Sequence, residues 1–356
     1  MPPTMSDADG SGDGHAVIGW DIGGVNTKVA RVRGGIVLAA HSRPFELQHA
    51  PEALAPLCAE LALEVGAAPT DHHAVTMTAE LSQMFRLKRD GVAFVLDAVC
   101  SAFGPDCVSV FGVDGRFLPP DEARRVPIVV AAANWVATAL LVGASHRDTI
   151  LIDTGTTTTD IVPIRDGEEV ALGRTDPARL ASGELVYTGA LRSPAETMAS
   201  HVPFRGAAAG VSAEGFALAA DVHLWRGDLA PCDYTVPTPD GRPASREFAG
   251  ERLARVVCAD REMLDDTDIS TIADALAEAQ VIRVADALAR VALRHPAVCT
   301  AVVTGVGAFI GAAAARRVGL EVMPLADTLG EDAARSAPAT AVALLYEWSR
   351  RGASTT

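Results

Sequence analysis

Short apolar runs that end in Gly-rich polar turns punctuate the chain. Residues 17–22 read as a strand that stops in an Asp-Ile-Gly-Gly turn, and residues 27–32 as the strand that follows. Residues 36–40 form a third strand after the hairpin turn Arg33-Gly34-Gly35. This order, strand then Gly-rich turn then strand, differs from the strand-turn-helix order of a dinucleotide fingerprint. A hairpin of this kind holds an anion with a turn, not with a helix N-terminus. Residues 51–65 and 91–102 carry helical periodicity, and residues 74–78 and 108–113 read as strands, the latter ending at Asp114-Gly115.

The same order returns further on. Residues 134–145 predict a largely buried helix with Asn134 as its N-cap and Trp135 as a packing residue. A strand over 149–153 then runs into Gly-Thr-Thr-Thr-Thr-Asp, and a strand over 161–164 leads to the turn Asp166-Gly167. Two α/β lobes of related design follow from the repetition at 17–32 and 149–164. Residues 174–250 are less regular and predict loops and a subdomain that shape a substrate pocket. A helix over 271–294 is marked by Ile272, Leu276, Ile282, Ala285, Ala289 and Leu293 at helical spacing. A strand over 299–304, the turn Gly305-Val306-Gly307, a helix over 311–317 and a final helix over 333–348 complete the chain. The helices at 271–294 and 333–348 would pack inside the protein or form the face of a homodimer.

The expected division is a disordered tail at 1–14, an N-terminal lobe over 15–145 and a C-terminal lobe over 146–350. The tail is acidic and rich in Gly and Ser, without the basic and apolar regions of a signal peptide. No uncharged apolar run reaches 18 residues, which predicts a cytoplasmic protein. A net charge of −15 over 356 residues argues against a nucleic-acid partner. It does not exclude a small anion held by local N–H groups and cations. The six cysteines contain no CxxC pair and read mostly as buried thiols, with Cys299 at a core position.

Candidate chemistry concentrates in the two turns. In Asp21-Ile-Gly-Gly-Val-Asn-Thr-Lys28, a carboxylate ends an apolar strand, where burial is costly unless a metal or water repays it. Gly23 and Gly24 let an anion approach closely, and Asn26 and Thr27 are natural phosphate donors. The only lysines in the chain are Lys28 and Lys88. A lysine beside a glycine turn, in a chain that otherwise uses arginine, suggests a compact ammonium for phosphate or pyrophosphate. In the second turn Asp153 and Asp160 bracket Gly155, Thr156 and Thr157, an arrangement suited to Mg²⁺ and phosphate oxygens. Gly305 and Gly307 would let a nucleotide or similar group lie against backbone. Glu184, Tyr187, Thr188 and Arg192 are mixed polar groups in a predicted loop, His201 and Arg205 flank a Pro-Phe pair, and Glu80, Ser82 and Gln83 follow a strand end. No GxSxG elbow or zinc-ligand spacing occurs. His72 and His73, adjacent on a strand, would point to opposite faces.

The segments DIGGVNTK, LIDTGTTTTDIVPI and VVTGVGAFI together resemble the paired phosphate motifs and the adenosine motif of the sugar kinase/Hsp70/actin superfamily. The runs MTAELSQMF, ANWVATA and GELVYTGALRSP resemble its hydantoinase/oxoprolinase-like members, and among them the synthase family of methanofuran biosynthesis. The likeness covers most of residues 16–347. It implies an actin-like ATPase (ribonuclease H-like) α/β fold with duplicated lobes around a central cleft. It also implies a non-methyl alkyl/aryl transferase. An aminomethylfuran diphosphate would lose pyrophosphate while the phenol oxygen of a γ-glutamyltyramine-type acceptor, or a tyrosine-type acceptor for methylofuran, joins the furanylmethyl carbon. Mg²⁺ would be held through Asp21, Asp153 or Asp160, with Lys28 beside the leaving group and Asp21, Asp160 or Glu184 as base. ATP or ADP would not be required. The alternatives are an ATP-dependent small-molecule kinase or amide-ring hydrolase, and a nucleotide-responsive regulatory protein.

Overall fold

The computed structural model describes residues 15–353; the expected tail at 1–14 lies outside them. In chain order the first strands are β1 (Val17–Ile22), β2 (Asn26–Arg33) and β3 (Ile36–Pro44), followed by α1 (Leu54–Glu64), β4 (His72–Met77), α2 (Lys88–Phe103), β5 (Val108–Phe111) and β6 (Phe117–Leu118). Then come α3 (Pro120–Arg125), α4 (Pro127–Val130), α5 (Asn134–Ser145), β7 (Thr149–Thr154), β8 (Thr159–Arg165) and β9 (Glu168–Glu169). The irregular stretch holds α6 (Asp176–Ser182), β10 (Leu185–Val186), α7 (Ala195–Met198), β11 (His201–Phe204), β12 (Ala207–Gly210), α8 (Ala219–Arg226) and α9 (Arg246–Arg255). The chain closes with α10 (Asp266–Arg294), β13 (Thr300–Thr304), α11 (Ala308–Val318), β14 (Glu321–Pro324), α12 (Ala326–Leu329), α13 (Glu331–Arg335) and α14 (Ala337–Ala353).

Two compact units result. The first takes the described residues up to Asp148, then Ile164–Asp176, then the chain from Leu325 on; the second takes Thr149–Pro163 and Pro177–Pro324. Residues 325–353 therefore pack with the N-terminal unit, although the sequence alone suggests a second lobe running from 146 to 350.

The sheet of the first unit has the order β3-β2-β1-β4-β5-β6. β1 runs antiparallel to β2 and parallel to β4. Side chains alternate across a strand, and β1 uses both faces. Ile18, Trp20 and Ile22 join a core with Leu54, Leu57 and Leu61 of α1 and Val92, Val95, Leu96 and Val99 of α2. On the opposite face Gly19 admits α14 so closely that an added Cβ would stand 1.9 Å from the Ala339 carbonyl oxygen. Ala30, Ala40 and Ala339 form the small-residue contact there. The hairpin turn at Gly34-Gly35 has positive φ at both glycines, and both N–H groups donate to the Glu347 carboxylate at 2.6 Å. On β4, His72 stacks on Tyr346 and His73 on Phe103, from opposite faces of the strand.

The sheet of the second unit has the order β10-β8-β7-β13-β14, with β9 pairing the end of β8. β7 and β13 are parallel, with Thr304 opposite Asp153. Ile150, Ile152, Ala301 and Val303 pack with Val284, Leu288 and Val291 of α10 and Ile310 and Ala314 of α11. A separate core joins Trp225 of α8 and Leu253 of α9 to Ile269, Ile272 and Leu276 of α10. Within it the fully buried pair Asp221–Arg252, at 2.7 Å, is completed by the Tyr234 hydroxyl, which donates to Asp221 at 3.0 Å. Of the predicted α10 stripe, Ile272, Leu276 and Ala285 are buried inside the unit, but Ile282 and Leu293 are exposed, because the buried face runs instead through Val284, Leu288 and Val291; α14 lies on β1.

Several expectations fail. Asn134 is the first helical residue of α5 and its side chain makes no cap; Ala133 is the N-cap. Of the six cysteines, all free, Cys58 is buried and its thiol is pushed up to about 12 by desolvation, but Cys232, Cys258 and Cys299 are exposed. Cys299 sits just before β13, where the chain has not yet entered the sheet.

Candidate active site

The two predicted turns share one local geometry. In the first, the Gly23 N–H donates to the Asn26 carbonyl at 2.9 Å; in the second, the Gly155 N–H donates to the Thr158 carbonyl at 2.9 Å. Each glycine stands two residues after the aspartate that ends its strand. Seven residues after that aspartate, the first motif has Lys28 and the second Asp160.

In the first unit, register places Asp21 opposite Lys28 on β2 and Thr76 on β4, so the three side chains share a face. Lys28 Nζ lies 3.4 Å from the Asp21 carboxylate, which is buried, while the ammonium keeps a quarter of its side chain exposed. Thr76 is fully buried and its hydroxyl makes no hydrogen bond, which is uncommon, and it shares the face of the ion pair; Thr27, likewise buried and without a hydrogen bond, lies on the opposite face of the sheet. Gly23 is required because its Cβ would meet the Asn26 carbonyl oxygen at 2.8 Å and the Thr78 hydroxyl at 3.4 Å.

Glu80 follows Thr78 and is 2% exposed, yet neither of its carboxylate oxygens receives a hydrogen bond. Its nearest cation is Lys88, 3.5 Å away, which reaches Asp176 at 2.6 Å. Desolvation pushes the Glu80 carboxyl up to about 7 against the opposing pull of Lys88. Both lysines of the chain thus serve buried carboxylates of the same unit.

In the second unit, the turn Gly155–Thr158 is braced by the loop 187–193. Ala190 N–H donates to the Gly155 carbonyl at 2.9 Å, and Leu191 and Arg192 N–H donate to the Thr156 carbonyl at 3.1 and 2.9 Å. Gly189 is obligatory, since a Cβ would come within 2.7 Å of Thr157 N, Gly155 O and Thr156 C. The loop is held from behind by Gln280 of α10, whose amide donates to Thr188 Oγ1 at 2.9 Å and to the Gly189 carbonyl at 2.8 Å. His223 Nε2 lies 2.8 Å from the Gln280 amide oxygen, and the Ser193 hydroxyl receives the Gly189 N–H at 3.0 Å. Gly305, at φ +88°, brings β13 against β7: its Cβ would meet Thr154 O at 2.3 Å and Asp153 Oδ1 at 2.5 Å. Gly307 donates to Thr154 O at 2.9 Å. The third predicted motif thus abuts Asp153 and the start of the Thr-rich turn.

Two predicted catalytic carboxylates have other duties. Asp160 is ion-paired with the buried Arg179 at 2.8 Å. Glu184 is fully buried, pairs with Arg294 at 3.0 Å and accepts the Ser182 hydroxyl at 2.8 Å. Burial is tolerable for these carboxylates because each has a guanidinium. Arg205 is ion-paired with Asp268 at 2.8 Å, and His201 is an exposed residue of the β11–β12 hairpin. Among the described residues no three His, Cys, Asp or Glu side chains converge as a metal site. Mg²⁺ commonly takes one or two carboxylates and completes its shell with water and substrate phosphate. Asp21 and Asp153, each beside a Gly turn, fit that mode singly, while Asp160 has the Arg179 guanidinium at 2.8 Å. Sequence reading passed over Thr76 and Gln280. The second had a signal, a lone polar residue on the apolar stripe Leu276, Gln280, Val284.

The signature of the hydantoinase/oxoprolinase family matches residues 71–347. Over 93% of this chain and 97% of its own length, the (4-{4-[2-(γ-L-glutamylamino)ethyl]phenoxymethyl}furan-2-yl)methanamine synthase of Methanocaldococcus jannaschii is 36% identical. The synthase of the same name from Methanococcus vannielii is 37% identical over 36% of this chain and 57% of its own. Among solved structures, nucleotide-free acetone carboxylase matches 92% of this chain and 70% of its own with a TM-score of 0.62 at 13% identity. That likeness fixes the fold as the two-lobed α/β architecture of actin, Hsp70 and the sugar kinases.

Proposed function

The chain belongs to the hydantoinase/oxoprolinase family, and we propose that it is a transferase joining an aminomethylfuran diphosphate to the phenol oxygen of a γ-glutamyltyramine- or tyrosine-type acceptor, with release of pyrophosphate, in methanofuran or methylofuran biosynthesis. One observation carries this reading: the match to the archaeal synthase runs nearly end to end, and that enzyme's product is an aryl furanylmethyl ether.

The residues suit the chemistry. The bond between the furan methylene and the diphosphate oxygen breaks, and its electron pair leaves on pyrophosphate. Lys28 would supply an ammonium for that charge, and each Gly/Thr turn carries backbone and hydroxyl donors of the kind that bind phosphate oxygens. Mg²⁺ held through Asp21 or Asp153 would neutralise further charge on the leaving group. The phenol loses its proton as its oxygen bonds to the methylene carbon. Each carboxylate expected as the base has a cation beside it, Lys28 at Asp21, Arg179 at Asp160 and Arg294 at Glu184, and Lys28 is the one that would turn to the diphosphate.

ATP and ADP have no part in this scheme. A kinase, an ATP-dependent amide hydrolase or a nucleotide-responsive regulator would share the fold and would require nucleotide. No helix among the described residues is long and apolar enough to cross a membrane, and small soluble substrates agree with a cytoplasmic setting. Incubation with Mg²⁺, the furan diphosphate and each acceptor, with no nucleotide, tests the proposal. Stoichiometric ether and pyrophosphate support it; ATP turnover with no ether refutes it.

A further inference from the structure

The loop 187–193 braces the second turn, and its exposed side chains have no part in that bracing. Leu191 and Ser193 are buried, and Arg192 between them is exposed. The Arg192 backbone N–H donates to the Thr156 carbonyl at 2.9 Å, so its Cα is one hydrogen bond from the turn. Four arginines of this unit have carboxylate partners: Arg179 with Asp160, Arg294 with Glu184, Arg205 with Asp268 and Arg252 with Asp221. No ion pair or side-chain hydrogen bond engages the Arg192 guanidinium among the described residues. The loop that carries it cannot drift, because Gln280, Thr188, Ser193 and the close approach of Gly189 fix its backbone. A long cation on a rigid base beside a Thr/Gly turn is arranged in advance for an anion.

Resting on the transferase reading above, we propose that Arg192 is a ligand of the diphosphate and stabilises the departing pyrophosphate. The guanidinium exchanges no proton and no electron. The methylene–oxygen bond breaks, both electrons stay on the pyrophosphate oxygen, and the planar fork of N–H donors binds two phosphate oxygens as that charge develops.

The test uses the full-length protein with Mg²⁺ and inorganic pyrophosphate as the probe, followed by calorimetry, with ether synthesis measured in parallel. Arg192→Ala is expected to weaken pyrophosphate binding by about 10- to 100-fold, the usual cost of a lost charge-assisted pair. It should lower kcat by at least the same factor. The KM for the phenolic acceptor and the melting temperature should stay at their wild-type values, because the side chain is exposed and bears no structural contact. Arg192→Lys should recover part of the affinity. If Arg192→Ala binds pyrophosphate as tightly as wild type while wild type makes ether, the role of Arg192 is overturned and the transferase reading stands. If wild type neither binds pyrophosphate nor makes ether, the transferase reading falls and Arg192 with it.

Discussion

Replacing Glu80 with glutamine isolates the cost of one buried charge. The carboxyl is pushed from its ordinary 4.5 to about 7 by desolvation. A carboxyl with a raised folded-state pKa favours the fold while protonated. That contribution is complete below pH 4.5 and is lost as pH rises to 7, beyond which the ionised Glu80 carries its full penalty. The shift of roughly 2.5 units corresponds to about 3 kcal/mol at 1.36 kcal/mol per unit. Glutamine occupies the same space and does not titrate in this range. Urea unfolding of both proteins should therefore show the stability of Glu80→Gln relative to wild type rising by about 3 kcal/mol between pH 4 and pH 8. The difference between variants is the right quantity, because His72 and His73, both held down to about 4 chiefly by burial, lose stability in the opposite direction on acidification. A pH-independent difference, or one that falls as pH rises, would refute the assignment of Glu80 as a desolvated carboxyl.

Other perturbations address the turns. Gly189→Ala places a Cβ within 2.7 Å of the turn backbone. It should cost about 1–3 kcal/mol of stability and weaken pyrophosphate binding, both read in one thermal-shift titration. Gln280→Leu removes the amide donor to Thr188 Oγ1 and to the Gly189 carbonyl, which keeps only the Ser193 hydroxyl at 3.3 Å; a loss of about 1–3 kcal/mol and a raised KM for the diphosphate are expected, with the acceptor KM unchanged. Lys28→Ala should lower kcat by about 10²- to 10³-fold, on the scale of other groups that stabilise transition-state charge. Lys28→Arg should restore little, since a planar fork does not replace a point charge opposite Asp21; steady-state kinetics decide.

What the sequence reveals here is local. The strands β1, β2 and β7, the hairpin turns and the paired Asp/Gly motifs are legible because alternation and glycine act over a few residues. The helix over 271–294 is found for the same reason, short of its N-terminal turn at Asp266, where the cap Asp265 rather than an apolar residue marks the start. Long-range pairing is where the reading stops. Asp160 and Glu184 look like free site acids until Arg179 and Arg294 arrive, the latter 110 residues away. Residues 325–353 return to the first unit because Gly19, far upstream, makes room for Ala339. The GELVYTG segment points to the subgroup in the sequence, and in the structure Gly189 packs against the Gly155–Thr158 turn while Tyr187 and Arg192 are exposed.

The central claim concerns a bond, and the most direct measurement is the mass of the product. Purified protein with Mg²⁺, aminomethylfuran diphosphate and γ-glutamyltyramine or a tyrosine-type acceptor, free of nucleotide, should yield the aryl furanylmethyl ether and one pyrophosphate per ether. Absence of ether with both acceptors, together with nucleotide hydrolysis or tight ATP binding, would contradict the account.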